Sequence, residues 1–284
     1  MENRLTAHMR RTRTGKISFK SGEKSEKVIR LTLVAFFVLT VVAFFFFDVT
    51  GLDLKRAITE TAHNIKVMFL TPWLSHFTFT EALYQVAITI ALAVLSTLLG
   101  AVIAFFLALL AATNLSKEWI SRMIRIFVAF IRAVPTVLWV LIFAISAGLG
   151  SEAAVLGMLF HSVAYLVKAY SEAFEEVDPG IIESLRATGS NWWHIVRHGI
   201  LPSTSTYLMS WTFLRFEINF GVAVAMGAAA GAGGIGFELF MASGFYFDLR
   251  EVGFITYFIL IVAIILEMFS TKLKGKYLQG AANR

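Results

Sequence analysis

The sequence predicts an all-α, polytopic membrane protein with six transmembrane helices, and three observations carry that prediction. Hydrophobic residues make up 57% of the 284 residues and charged residues 15%, against about 45–50% and about 25% in a typical soluble domain. Only 4 prolines accompany 27 phenylalanines, which suits long apolar helices better than a loop-rich β fold. Six apolar stretches are long enough to cross a hydrocarbon core about 30 Å thick: Ile29–Phe47, Ala82–Ala112, Ile124–Leu149, Ala153–Tyr170, Ser203–Gly227 and Val252–Phe269. Soluble enzymes, disordered chains and nucleic-acid readers do not have this composition. The absence of cysteine excludes disulfide frameworks, zinc ribbons and thiol nucleophiles.

The elements follow in order. Residues 1–28 form a basic tail, and 29–47 a first transmembrane anchor. Phe44–Phe47 runs straight into Asp48, so no small-residue cleavage site marks the anchor as a signal peptide. Residues 48–80 form a loop on the opposite side. Within it Leu54, Ile58, Ala62, Ile65 and Phe69 recur every three or four residues, predicting an amphipathic helix over Leu54–Leu70 that stops near Pro72. Residues 81–277 form a five-helix core, and 278–284 a second tail. Phe237–Arg250, between spans five and six, caps the same outer surface.

Charge sets the orientation. With the N-terminus inside, nineteen of the 25 Lys and Arg fall on the cytoplasmic side and four outside, while Arg132 and Arg215 lie within spans. The positive-inside rule then puts both termini in the cytoplasm. The basic tail reads as an orienting, poorly ordered segment and not as a nucleic-acid arm.

The most informative stretch joins spans four and five, over residues 178–202. Asp178 suits an N-cap, Pro179 the first helical position, and Val177 with Ile182 a hydrophobic staple. Gly189 suits a left-handed cap, and Ser190 can start a second short helix at Trp192. Ile182, Leu185, Trp192 and Trp193 are apolar side chains that the loop alone cannot bury. Two readings follow: a projecting docking element, or an interfacial hairpin with its tryptophans at headgroup level.

Glu183-Ser184-Leu185, Gly189, and Leu201-Pro202 resemble the Glu-Ala-Ala loop of ATP-binding-cassette importer permeases, E-A-A-x(3)-G-x(9)-I-x-L-P. Glu183, Gly189, Leu201 and Pro202 fall in register, whereas Ser184 and Leu185 replace the alanines and Gly199 the isoleucine. The resemblance covers roughly residues 80–277 and implies the type I importer permease architecture. It implies that Glu183, Ser184, Leu185, Gly189, Leu201 and Pro202 form the coupling helix that sits in a groove of a cytoplasmic ATP-binding subunit. It also implies a periplasmic or lipid-anchored substrate-binding protein and a second permease subunit, the same chain or a different one, in a bacterial inner membrane.

Two further stretches resemble the phosphonate-permease branch: Ile131–Trp139, and Arg215-Phe-Glu217-Ile-Asn219 leading to Gly227–Gly236. Gly221 stands where the branch has an arginine, and the glycine run is one residue longer. The resemblance implies phosphonate or a related phosphorus oxyanion (phosphite, a phosphate ester) as substrate. Importers of phosphate or amino acids, and a secondary transporter, are the alternatives; the last calls for paired broken helices in inverted repeats, and none is visible.

Charges inside a bilayer cost about 2.5–3.5 kcal/mol on insertion scales and default to functional readings. Arg215, Glu217 and Asn219 either satisfy neighbouring helices or line a hydrated passage, with Arg215 the direct anion contact because its planar fork matches oxyanion geometry. Arg132 either snorkels to the inner interface or gates it, and Pro135 bends span three beside it. His161 reads as hydrogen-bonded packing. Gly231-Ala-Gly233-Gly-Ile-Gly236 matches a dinucleotide fingerprint, but it follows an apolar helix and lacks the βαβ setting that the fingerprint requires. No P-loop, catalytic triad, metal cluster or cofactor motif is present, and the resemblance implies that ATP hydrolysis is on a partner ATPase subunit.

Overall fold

A computed structural model describes residues 9–11, 17–19, 23–46, 51 and 53–282; most of the basic tail, with Asp48 and Arg284, lies outside them. The chain divides into two compact units, Met1–Glu60 and Thr61–Arg284. In the first, β1 (Met9–Arg11) pairs antiparallel with β2 (Ile17–Phe19), Arg10 opposite Ser18. This small hairpin stands in a tail that the sequence reads as poorly ordered; every other described element is helical. Helix α1 spans Glu23–Phe45, and the division between the units falls inside α2, Leu54–Leu70. Asp53 caps α2 through the Arg56 amide at 3.1 Å. The apolar periodicity thus marks the limits of α2.

The second unit continues with α3 (Phe79–Ala111), α4 (Glu118–Ala133), α5 (Thr136–Ala147) and α6 (Ser151–Glu175). After these come the short α7 (Pro179–Ala187) and α8 (Trp192–Ile195), a π turn over Val196–Ile200, α9 (Leu201–Ala230), α10 (Ile235–Gly244) and α11 (Leu249–Ala282). Among the described residues five helices are long and apolar enough to cross a membrane, six if α4 and α5 count as one. Thr78 and Glu81 start α3 as a reciprocal capping box. Small residues on the facing sides, Ala93, Ala104 and Ala108 of α3 with Ala153, Ala154 and Ala164 of α6, are fully buried. Helices with such faces approach closely, as membrane helices without a water-driven force must.

Span three is not one gently bent helix. Its halves α4 and α5 meet at 91°. Pro135 offers no amide to continue α4, and Val134 before it is extended at φ −93°, ψ 124°, the conformation that a following proline imposes. Two non-helical residues in succession turn a kink into a corner.

The glycine run makes a tight return between α9 and α10. Gly231, Gly233 and Gly234 all have positive φ, and the Ile235 amide donates to Thr89 Oγ1 on α3 at 3.0 Å. A Cβ on Gly236 would stand 1.8 Å from the Val224 carbonyl oxygen, so only glycine lets α10 lie this close to α9. A helix, α9, and not a strand leads directly into the run.

At the same end, residues 71–77 are strapped to the start of α11. Glu251, fully buried, accepts the Ser75 and His76 amides at 3.1 and 2.9 Å, and its other oxygen meets His76 Nδ1 at 2.7 Å. Tyr246 stacks on the His76 ring. Asp248 accepts the Ser75 hydroxyl at 2.8 Å and the Arg250 and Glu251 amides. Burial pushes the Asp248 carboxyl up, but these donors and His76 outweigh it and hold it below its ordinary 3.8. A lowered folded-state value stabilises fully above that ordinary value and is lost as pH falls through the folded one. Asp248→Asn is therefore expected to lower the unfolding midpoint through the neutral range, where the charge contributes fully, and to flatten the acid limb of a thermal-unfolding pH profile below about pH 4, a range set by the ordinary carboxyl value.

Candidate functional site

The loop over residues 178–202 is built by local rules first. Asp178 accepts the Gly180 amide at 2.8 Å, and Pro179 opens α7. Gly189 ends the turn at φ +78°, a left-handed conformation in which any other residue is strained. The second short helix is capped by Asn191, which accepts the His194 amide at 2.9 Å, and not by Ser190. Asparagine one residue on has the longer reach to the third amide.

Nor is that helix separate. Trp192–Ala230 is one helical run of 39 residues, carried from α8 into α9 by the π turn. Pro202 has no amide to return to the preceding turn, and one π-type register step absorbs the loss without a break. The loop therefore projects as a single short helix, α7, hinged at Gly189 onto the end of a long rod.

Packing answers what the loop does with its apolar side chains. Val177, Ile182, Ile195, Val196 and Ile200 are buried in one cluster with residues of α3 and α6, and Leu185, Trp192 and Leu201 pack against it. Gly199 is the point of closest approach: a Cβ there would meet Leu185 Cδ1 at 3.0 Å and Ile181 Cγ2 at 3.4 Å. Glu183, Ser184 and Pro202 are exposed, with the Ser184 hydroxyl turned back to the Ile181 carbonyl at 2.9 Å. Trp193 keeps 58% of its surface exposed.

The turn at residues 112–117, between α3 and α4, locks onto this assembly. Trp192 Nε1 donates to the Leu115 carbonyl at 2.9 Å, Asn114 Nδ2 to the Phe174 carbonyl at 2.7 Å, and Arg186 to the Asn114 carbonyl at 3.4 Å. Glu175 accepts the Thr113 amide and hydroxyl at 2.6 and 2.7 Å and pairs with Arg125 of α4. Nothing in the spacing of these residues announces the contacts, which join five elements. Trp192→Phe keeps the ring and removes one such bond; it is expected to cost about 1 kcal/mol, read as a small drop in the unfolding midpoint.

A second polar constellation lies inside the helix bundle. Arg215 is 2% exposed and Asn219 fully buried. Both reach Ser162 Oγ of α6, Arg215 through Nε at 3.0 Å and Asn219 through Nδ2 at 2.8 Å. Asn219 also reaches Thr97 Oγ1 of α3 at 2.8 Å. The guanidinium lies 5.3 Å from the Tyr165 ring centroid. Arg215 and Asn219 thus face α3 and α6 within the bundle. Glu217, two residues away and on another face of α9, lines a cavity of about 190 Å³ with Glu267 of α11; Glu267 sits near the end of the last apolar stretch, where a carboxylate reads as an ordinary interfacial charge. His161 departs from hydrogen-bonded packing, because its buried Nδ1 has no hydrogen-bond partner in the described structure. Gly221 is exposed, and a Cβ there meets nothing within 4 Å.

Arg132 and Pro135 stand together at the corner of α4 and α5, Arg132 exposed and with no hydrogen bond or ion pair among the described residues. At the strap, His76, Asp248 and Glu251 bring ligand-type atoms within 4.8 Å of one another. His76 is distant in sequence from Asp248 and Glu251, and the atoms already serve the bonds given above.

Comparison with known proteins places this geometry. The model of binding-protein-dependent transport system inner membrane components matches residues 100–278. A phosphite transport system permease of Stutzerimonas stutzeri is 32% identical over 190 residues, 66% of this chain and 68% of its own length. A phosphate-import permease of Mycolicibacterium smegmatis is 30% identical over 181 residues, 62% of this chain but only 33% of that protein. Among solved structures, a chain of the inward-facing MetNI methionine ABC transporter superposes with TM-score 0.65 at 19% identity, covering 72% of this chain and 99% of that one. A chain of a bacterial alginate importer superposes at 0.62, with 14% identity and 89% of this chain covered. The fold is that of ABC importer permeases, and with well over half its length matched the chain belongs to the family of binding-protein-dependent transport system inner membrane components.

Proposed function

We propose that the chain is the permease subunit of an ATP-driven, binding-protein-dependent importer for phosphonate or a related phosphorus oxyanion such as phosphite or a phosphate ester. The single observation that carries the coupling role is α7: a capped, exposed helix hinged at Gly189 and packed by Leu185 against the base of a 39-residue rod. A helix so attached cannot shift without moving α9. The substrate class rests on the phosphite and phosphate permeases among the relatives. ATP hydrolysis belongs to a cytoplasmic ATP-binding subunit gripping Glu183, Ser184 and their neighbours. A substrate-binding protein delivers from the other face, and a second permease, identical or different, completes the pathway. Both termini are cytoplasmic, in a bacterial inner membrane.

Closure of the ATPases pulls α7, and the rod and the 112–117 turn carry that displacement to α9 and α4. The bundle then exchanges inward-open for outward-open arrangements, a two-state change biased by what each ligand contacts in each state. The corner at Pro135 is the point where α4 and α5 reorient, with Arg132 beside it. Arg215 and Asn219 brace the pathway wall from behind, and Glu217 lines the space between α9 and α11.

The absence of cysteine makes the test clean. Glu183→Cys, co-expressed with a cognate ATPase subunit and binding protein, is expected to cross-link to the ATPase. The same cells are expected to take up phosphite or phosphonate. Labelling of the introduced thiol only from outside the cell would overturn the coupling assignment. Uptake of some other solute alone would overturn the substrate class.

A further inference from the structure

Helix α4 carries three distinct faces. Ser121, Val128 and Ile131 are buried against the bundle. Trp119, Met123, Ile126, Phe127 and Phe130 are exposed and apolar. At about 100° per residue, Glu118, Arg122, Arg125, Ala129 and Arg132 fall within an arc of about 80° on a third side. An apolar stripe facing outward suits lipid, and a separate cationic stripe on the same helix requires water or anions. The stripe ends at Arg132, three residues before the corner at Pro135.

Where this stripe meets α6 there is a cavity of about 210 Å³, lined by Arg125, Arg132, Val167, Lys168, Ser171 and Glu172 among others. That is several times the roughly 30 Å³ share of one water, room for a tetrahedral oxyanion with part of its hydration. Its charges are not equally committed. Arg125 is held by Glu175, and Lys168 meets Glu172 at 3.5 Å. Arg132 has no such partner among the described residues, so its five donors face a cavity whose cations outnumber its one carboxylate, Glu172.

We infer that this cavity between α4 and α6 is a binding site for a phosphorus oxyanion, with the Arg132 guanidinium as its principal contact and Lys168 and Arg125 as flanking charges. The inference rests on the importer reading for its physiological role: an oxyanion leaving the pathway would pause here, on the cytoplasmic side of the corner. The chemistry of the site itself needs only a tetrahedral phosphorus centre with two or more anionic oxygens, or the phosphodiester of an anionic lipid headgroup, which basic pockets at the inner leaflet also take. A fork-shaped donor set favours bidentate contact to either.

The test uses the full-length chain in nanodiscs. In discs of phosphatidylcholine alone, the P–H doublet of added phosphite in a ³¹P spectrum is expected to broaden, and the effect to weaken as salt rises. Arg132→Gln is expected to weaken binding about tenfold or more, as loss of a charge-assisted bond implies; Arg132→Lys is expected to keep part of it. A second arm replaces a fraction of the lipid with cardiolipin. Displacement of phosphite through Arg132 would identify the headgroup as a competing occupant of the same site. If neither phosphite nor cardiolipin engages the chain in an Arg132-dependent way, with Arg132→Gln melting like the parent, the site is overturned. Phosphite uptake by whole cells with unchanged binding in Arg132→Gln would sink this inference alone; Arg132-dependent binding without uptake would sink the importer reading alone.

Discussion

Gly199→Ile is expected to disable the proposed coupling loop, lowering uptake at least tenfold, and Leu185→Ala in the same chain is expected to restore most of it. Two of the three departures from the Glu-Ala-Ala pattern, Leu185 and Gly199, face each other. Leu185 stands where the pattern has alanine, Gly199 where it has isoleucine, and a Cβ on Gly199 would lie 3.0 Å from Leu185 Cδ1. The chain has exchanged large for small across one contact between α7 and the π turn. Isoleucine at 199 brings about four carbons into buried space that Leu185 already fills; overpacking of this kind costs about 1–3 kcal/mol and shifts backbone. Here the displaced element would be α7, whose orientation the proposed coupling role depends on. Leu185→Ala alone leaves a gap at a half-buried site and is expected to cost less than the about 2–5 kcal/mol of a fully buried truncation. The measurement is a double-mutant cycle on unfolding midpoint and on uptake, with neighbouring sites expected to couple by about 0.5–3 kcal/mol. Additive effects of the two changes would mean that the contact does not set the position of α7.

How much of this is legible in the sequence depends on the range of the interaction. Asp178, Pro179 and Gly189 mark the start and end of α7 because capping and left-handed geometry are local chemistry. Leu54–Leu70 is readable because a helix writes its period into its own sequence. Apolar length locates the spans, yet it hides the corner in span three: a hydropathy count over Ile124–Leu149 adds α4 and α5 together and ignores the charged stripe on α4. Proline predicts a bend without its size, since the 91° depends on Val134 also leaving the helix. The continuous run from Trp192 to Ala230 escapes a sequence reading because a proline and a glycine normally mark a break. The strap at Glu251 and the lock on residues 112–117 join residues far apart in the chain, and a single sequence carries no record of such pairings. Arg215 and Asn219 stand out as intramembrane polar residues, but only the structure shows them turned onto Ser162.

That shared hydroxyl makes the second large prediction. Ser162 Oγ accepts from Arg215 and from Asn219 and donates to the Met158 carbonyl at 2.6 Å. Ser162→Ala strips a buried guanidinium of the one hydrogen-bonded partner it has among the described residues. It is expected to cost about 2–3 kcal/mol, since bonds to charged groups and buried orphaned donors both sit at the high end of their range. Asn219 loses less, because Thr97 still accepts from it. Ser96→Ala, whose link to Asn219 spans 3.4 Å, is expected to cost under about 1 kcal/mol. The distinguishing variant removes the charge as well: Ser162→Ala with Arg215→Met is expected to be more stable than Ser162→Ala alone, because an apolar pair leaves no buried charge unsatisfied. Thermal unfolding of the four proteins in one detergent measures the order. If Ser162→Ala melts within about a degree of the parent, Arg215 draws its compensation from elsewhere and the brace between α6 and α9 is not where the guanidinium is held.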